Sequence, residues 1–135
     1  MRDRSSSAEA LWMERAIVLA RAQGAFNLVG GLWPIVSLRT FEAVFGPKQD
    51  RWLVFTVGGL LTTIGLNQLT SSRHRGALRL AERVGVGTAA WLLAIDLVYV
   101  PAGRLRWTYL LDAAAEAGWL AAWAASHRAG RAATR

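Results

Sequence analysis

The stretch Leu32-Trp33-Pro34-Ile35-Val36-Ser37-Leu38-Arg39-Thr40-Phe41-Glu42-Ala43-Val44-Phe45-Gly46-Pro47-Lys48-Gln49-Asp50-Arg51-Trp52-Leu53-Val54 decides how the whole chain is read. It closes one long apolar segment, turns at Gly46-Pro47, and opens a second apolar segment that meets no charge until Arg73. Glycine and proline side by side are a turn signal, because one frees the backbone and the other fixes it. The second segment, Trp52 to Thr70, is long enough for a helix to cross a bilayer and shows no polar stripe.

Working outward, a first span is expected over 16–38, with Trp33-Pro34 near its far end as a kink or an early stop. Gly24, Gly30 and Gly31 in it, like Gly58, Gly59 and Gly65 in the span over 52–70, remove side-chain bulk and let helices approach closely. A third span over 84–100 holds one acid, Asp96, and ends at Pro101-Ala102-Gly103. A fourth over 105–127 is alanine-rich, with Ala113, Ala117, Ala121 and Ala125 four apart, a row suited to a closely packed helix. The reading is an all-α protein, a single domain over 1–135 folded as an integral membrane four-helix bundle. Arg39 to Arg51 is expected as a loop with a short interfacial helix, Ser71 to Arg83 as a basic connection, and the first ten residues as a short tail.

Composition agrees. The 135 residues are 53% hydrophobic and 19% charged, and seven tryptophans recur near the ends of apolar runs, as in an interfacial belt. A soluble four-helix bundle is the competing reading, and it requires polar stripes that 52–70 lacks. The net charge of +7 in a soluble protein points to nucleic acid or an acidic partner. Here the positives lie between apolar segments, at headgroup level, so no nucleic-acid partner is expected. Fifteen of the sixteen basic residues are Arg, and with abundant Ala and Gly this is the composition of a GC-rich bacterial genome. There is no cysteine and there are only two histidines, which exclude thiol chemistry and a His-rich metal site.

Basic residues fix the expected orientation. Arg2, Arg4 and Arg15, then Arg73, Arg75, Arg79 and Arg83, then Arg128, Arg131 and Arg135 fall on one side. Arg39, Lys48, Arg51, Arg104 and Arg106 fall on the other. Both termini are therefore expected in the cytoplasm, in a multi-pass protein of the cell inner membrane. Trp33, Trp52, Tyr99, Trp107 and Tyr109 are expected at the outer interface, with Trp12 and Trp123 at the inner one.

Ionisable groups within spans are costly and call for a partner or a role. The candidates are Arg21, Asp96, Asp112 and Glu116, joined by Asn27. Asp112 and Glu116 are four apart and share a helical face. One reading is a polar interior of Arg21, Asn27, Asp96, Asp112 and Glu116 that holds a cation, a proton or a polar ligand group. The other is that these groups pair among themselves, Arg21 with Glu116 above all, and with Arg104 or Arg106, fixing helix register. Asp96 is read as the outermost, near the solvated interface. Glu42 and Lys48 either gate that interior or keep a loop wet. Arg73, Arg75, Arg79 and Arg83 set orientation and can bind anionic lipid. Gly85-x-Gly87 is no nucleotide signature, since no strand precedes it and the third glycine is missing. No catalytic residue, cofactor or metal site is assigned.

The run Gly46-Pro47-Lys48-x-Asp50-x-Trp52-Leu53-Val54, followed by Gly58-Gly59-Leu60-Leu61 and Gly65-Leu66, resembles small bacterial proteins with four transmembrane helices. Over most of the chain the organisation is similar to the DoxX-like group. That resemblance implies an inner-membrane protein of accessory role, in a group linked to redox partners. No residue carries over as a cofactor or catalytic position, and the lack of cysteine argues against a thiol-based version. The expected function is non-enzymatic binding of a partner or small ligand through the helix interior and the outer loop, the partner being a second copy or another membrane protein. A membrane enzyme using Asp112 and Glu116 on a lipophilic substrate, or a proton- or ion-coupled transporter, are the alternatives.

Overall fold

The computed structural model describes the backbone of residues 2–132 and the side chains of residues 5–129. Of the arginines that set the expected orientation, the side chains of Arg2, Arg4 and Arg131 and the whole of Arg135 lie outside the described residues. Within them the protein is all-helical: α1 Arg2–Val36, α2 Leu38–Phe45, α3 Arg51–Leu69, α4 Arg75–Tyr99 and α5 Tyr109–Ala132. There is no strand among the described residues.

The helices outrun the apolar runs at several ends. The expected N-terminal tail is helical from Arg2, the basic connection is helical from Arg75, and α5 begins at Tyr109 and continues to Ala132. The cause is amphipathic packing beyond the apolar segments. Ala8 and Trp12 on α1, and Leu78 and Ala81 on α4, turn inward although charged residues flank them. Together with Ala16, Ile17, Ala20 and Trp123 they make the apolar core, where α1, α4 and α5 meet. Trp12 and Trp123 were expected in an interfacial belt and are core residues instead, 7% and 1% exposed.

Pro34 sits in the last turn of α1, where its missing N–H withdraws one hydrogen bond from the helix. The helix ends two residues later, and the chain bends by 110° into α2. Trp33 packs edge-on against Phe41 and Phe45 and donates its Nε1–H to Thr40 Oγ1 at 2.8 Å, which fixes the corner. α2 ends at Gly46, whose φ of 85° is available to glycine at little cost, as the Gly46-Pro47 turn required.

α1 is the central element. α3 lies along one side of it, α4 and α5 along the other, and α3 meets α4 only near one end. The α1–α3 seam is backbone on backbone at Gly24, Gly31, Gly58 and Gly65, where a Cβ would have no room.

Burial runs opposite to the usual pattern. Among the described residues ten hydrophobic ones are buried and six of these are alanines, while Gln23, Asn27, Gln68, Asp96, Glu116 and Ser126 are all buried. The large apolar side chains face outward: Val29 and Val36 on α1, Trp52 and Leu60 on α3, Trp91 and Val98 on α4, Leu111 on α5. Among the described residues α3 alone is, by length and composition, apolar enough to cross a membrane, and α1 with α2 passes the same test as one bent pair.

Candidate functional site

Two polar groups occupy the interior, one behind the other along the bundle. The first is an amide network. Gln23 of α1 donates Nε2–H to Gly85 O of α4 at 3.0 Å, and its Oε1 accepts from Trp123 Nε1 of α5 at 2.8 Å and from Gln68 Nε2 of α3 at 3.1 Å. Gln68 in turn accepts from Asn27 Nδ2 at 2.8 Å and reaches Ala81 O at 3.4 Å. Four helices are thereby tied at one level. Gly85 is required there, since any Cβ would fall on the Gln23 amide.

The second group is acidic. Antiparallel packing of α4 on α5 sets Asp96 beside Asp112, close enough for the two carboxyl groups to interact. Glu116 stands one turn from Asp112 on the same face, about 6 Å along the axis. It is 1% exposed, and neither carboxyl oxygen has a hydrogen-bond partner. Asp96 is 3% exposed with Oδ2 likewise unpartnered. The Trp123–Gln23 bond and the Phe26–Trp119 ring contact set the α1–α5 register, so Glu116 lies about 10 Å along α5 from the amide network, toward α2.

α2 covers this end. Phe45 packs on Tyr109 with ring centroids 4.7 Å apart, and Tyr109 is three residues from Asp112. Lys48 Nζ lies 4.5 Å from the centre of the same ring and donates to Phe45 O at 3.1 Å. Thr108 Oγ1 donates to Val44 O at 2.7 Å and Arg106 Nη1 to Ala43 O at 3.3 Å, holding α2 down onto the start of α5. Glu42 Oε1 accepts from the Lys48 backbone N–H at 2.9 Å, so the two charges of this loop are built into its turn. Burial holds the Lys48 ammonium below its ordinary value, opposed by the pull of the Glu42 carboxylate.

Of the five residues proposed for the interior, Asn27, Asp96 and Glu116 are buried, Asp112 is half-buried and Arg21 is exposed. Asp96, read as solvated at an interface, is enclosed. Arg21 lies two residues from inward-facing Gln23 and therefore on the opposite face of α1. The Arg21–Glu116 pair is not formed, and neither Arg104 nor Arg106 pairs with the acids. The two ion pairs among the described residues, Arg75–Glu9 at 3.1 Å and His127–Glu82, lie at the other end of the bundle. Sequence reasoning missed Gln23, the pivot of the network. The signal was its place in the row Ala16, Ala20, Gln23, Asn27, one inward face of α1 at helical spacing.

Chemically the interior offers hydrogen-bond acceptors in excess. Among the described residues no three of His, Cys, Asp and Glu converge as metal ligands. Comparison with protein families, curated proteins and solved structures finds no match to this chain.

Proposed function

We propose that this chain is an integral protein of the bacterial inner membrane, crossing it with α1, α3, α4 and α5 and keeping both termini in the cytoplasm. Its role is binding or accessory, not catalytic. It takes a proton, or the cationic or hydrogen-bond-donating group of a small ligand, at Glu116 and the Asp96–Asp112 pair. Three features support the bilayer placement. Large apolar side chains cover the outside. Thr56, Thr62 and Thr63 of α3 and its C-cap Thr70 satisfy their hydroxyls on carbonyls of that helix, as a side chain in hydrocarbon must. The resemblance to DoxX-like proteins fits the same placement.

The observation that carries the ligand reading is Glu116, fully buried with two acceptor oxygens and no donor. Leaving such a group unsatisfied is costly, about 1–3 kcal/mol for a neutral group and more for a charged one, and a proton or a ligand donor removes that cost. A hydrophobic carbodiimide tests this, because it enters apolar protein and reacts with protonated carboxyl groups. Treated in mild detergent, the protein is expected to carry an adduct on Glu116, located by peptide mass spectrometry and absent from Glu116→Gln. Labelling confined to Glu9, Glu14 and Glu42 contradicts the reading.

A further inference from the structure

α3 is bound to the rest of the bundle almost wholly through α1, and this leaves the α3–α4 side open. Their one direct hydrogen bond is Gln68 Nε2 to Ala81 O. Beside it lies a cleft of about 480 Å³, in the range of small-molecule sites and open laterally. Its walls change character along the bundle axis. Ile64, Leu80 and Val84 line the deeper part, and Ser71 and Ser72 line the mouth, with Asn67 between.

No charged side chain lines the cleft itself, but arginines flank its lining residues in the chain: Arg73 follows Ser72 and Arg83 precedes Val84, while Arg75 pairs with Glu9 and Arg79 lies over the Trp12 ring. Arg73 and Arg83 are exposed and form no ion pair among the described residues. The nearby acid, Glu82, is held by His127 on the α5 side. The first turn of α4 starts at this mouth and adds backbone N–H groups, of which His74 Nδ1 caps that of Gly76.

A polar mouth flanked by the unpaired Arg73 and Arg83 at the cytoplasmic level, above an apolar wall, suits a phospholipid in the inner leaflet. We propose that the α3–α4 cleft is a binding site for an anionic phospholipid. The phosphate sits at Ser71, Ser72 and the first turn of α4, Arg73 and Arg83 supply the opposing charge, and one acyl chain lies along Ile64, Leu80 and Val84. The inference rests on the bilayer placement proposed above. It does not depend on the acidic interior.

The test is native mass spectrometry and thermal melting of the detergent-purified full chain with phosphatidylglycerol, phosphatidylcholine or glycerol 3-phosphate added. One retained phosphatidylglycerol with a raised melting temperature is expected, and phosphatidylcholine is expected to bind far more weakly. Replacing Arg73 and Arg83 by Gln should weaken phosphatidylglycerol binding by roughly fivefold each and roughly thirtyfold together. Leu80→Trp fills the cleft from an exposed position, so it should abolish retention while leaving the melting temperature in lipid-free detergent unchanged. Equal retention of both lipids, equal competition by glycerol 3-phosphate, or retention indifferent to both variants overturns the site. A protein that stays monodisperse in buffer without detergent overturns the bilayer placement instead, so the two failures are distinguishable.

Discussion

Gly65→Ala puts the α1–α3 seam to the test, and Gly59→Ala on the same helix is its control. A Cβ on Gly65 would lie 2.5 Å from Leu28 N, 2.6 Å from Gly24 O and 2.9 Å from Leu28 Cα, where ordinary contact begins at 3.4 Å. All three atoms are backbone of α1, so no rotamer change makes room. The helices must part by about 0.9 Å, and the reciprocal contacts of Gly24 and Gly31 with α3 loosen with them. Overpacking of this kind costs about 1–3 kcal/mol. A Cβ on Gly59 meets nothing within 4 Å. Both substitutions gain the same helix propensity, about 0.5–1 kcal/mol, so their difference isolates the seam at about 1–3 kcal/mol. The assay is unfolding in mixed micelles with rising sodium dodecyl sulfate, followed by circular dichroism. Gly65→Ala should unfold at clearly lower detergent fraction than wild type, and Gly59→Ala at the same or higher. Equal midpoints for the two variants refute the close approach, and with it the account of how α3 is held.

Glu116→Leu replaces an unpartnered buried acid by an apolar side chain of similar length and should stabilise the ligand-free protein by about 1–3 kcal/mol in the same titration. A loss of stability would show that Glu116 has a partner in the folded protein. Lys48 has its ammonium held below the usual 10.5 by burial, so between that lowered value and 10.5 the folded state binds fewer protons than the unfolded one. Its stability relative to Lys48→Met should therefore rise with pH through that window, and melting curves from neutral to alkaline pH that run parallel for the two proteins would contradict this.

The parts of the fold that were legible in the sequence are those where composition and geometry coincide. α3 was legible because no charge interrupts it, and the corner at Ser37 because Pro34 forbids a helical hydrogen bond. Helix ends were not, because hydropathy marks where a surface is apolar, whereas the chain before Arg15 and from Arg75 to Arg83 is helical with only Ala8, Trp12, Leu78 and Ala81 turned inward. The site followed the same logic. Asp112 and Glu116 sharing a face is a matter of spacing. Whether Asp96 faces in or out depends on the rotation of α4, which its distance from Pro101 does not report. Arg21 was placed by depth when direction mattered: one turn of α1 carries both outward Arg21 and inward Gln23.

That distinction also bears on how four helices could cross a bilayer when one is conspicuously apolar. Hydropathy averages a helix over its whole circumference, but lipid meets only the outer face. On α4 the charges Arg75, Arg79, Glu82 and Arg83 cluster at one end, and beyond them the only charged residue is Asp96, which is enclosed while Trp91, Ile95, Leu97 and Val98 face out. On α5 the acids Asp112 and Glu116 turn toward α4 and α1, while Leu110, Leu111 and a run of alanines form the outer surface. Away from the charged helix ends, the polar residues that lower the average of these helices, Asp96, Asp112 and Glu116, are buried or half-buried by their neighbours. In water such an arrangement is unfavourable on both faces, with apolar side chains wetted and acids desolvated. In hydrocarbon the outer face costs nothing, and the inner cost falls on the few acceptors of Asp96 and Glu116, where a proton or a ligand donor can remove it.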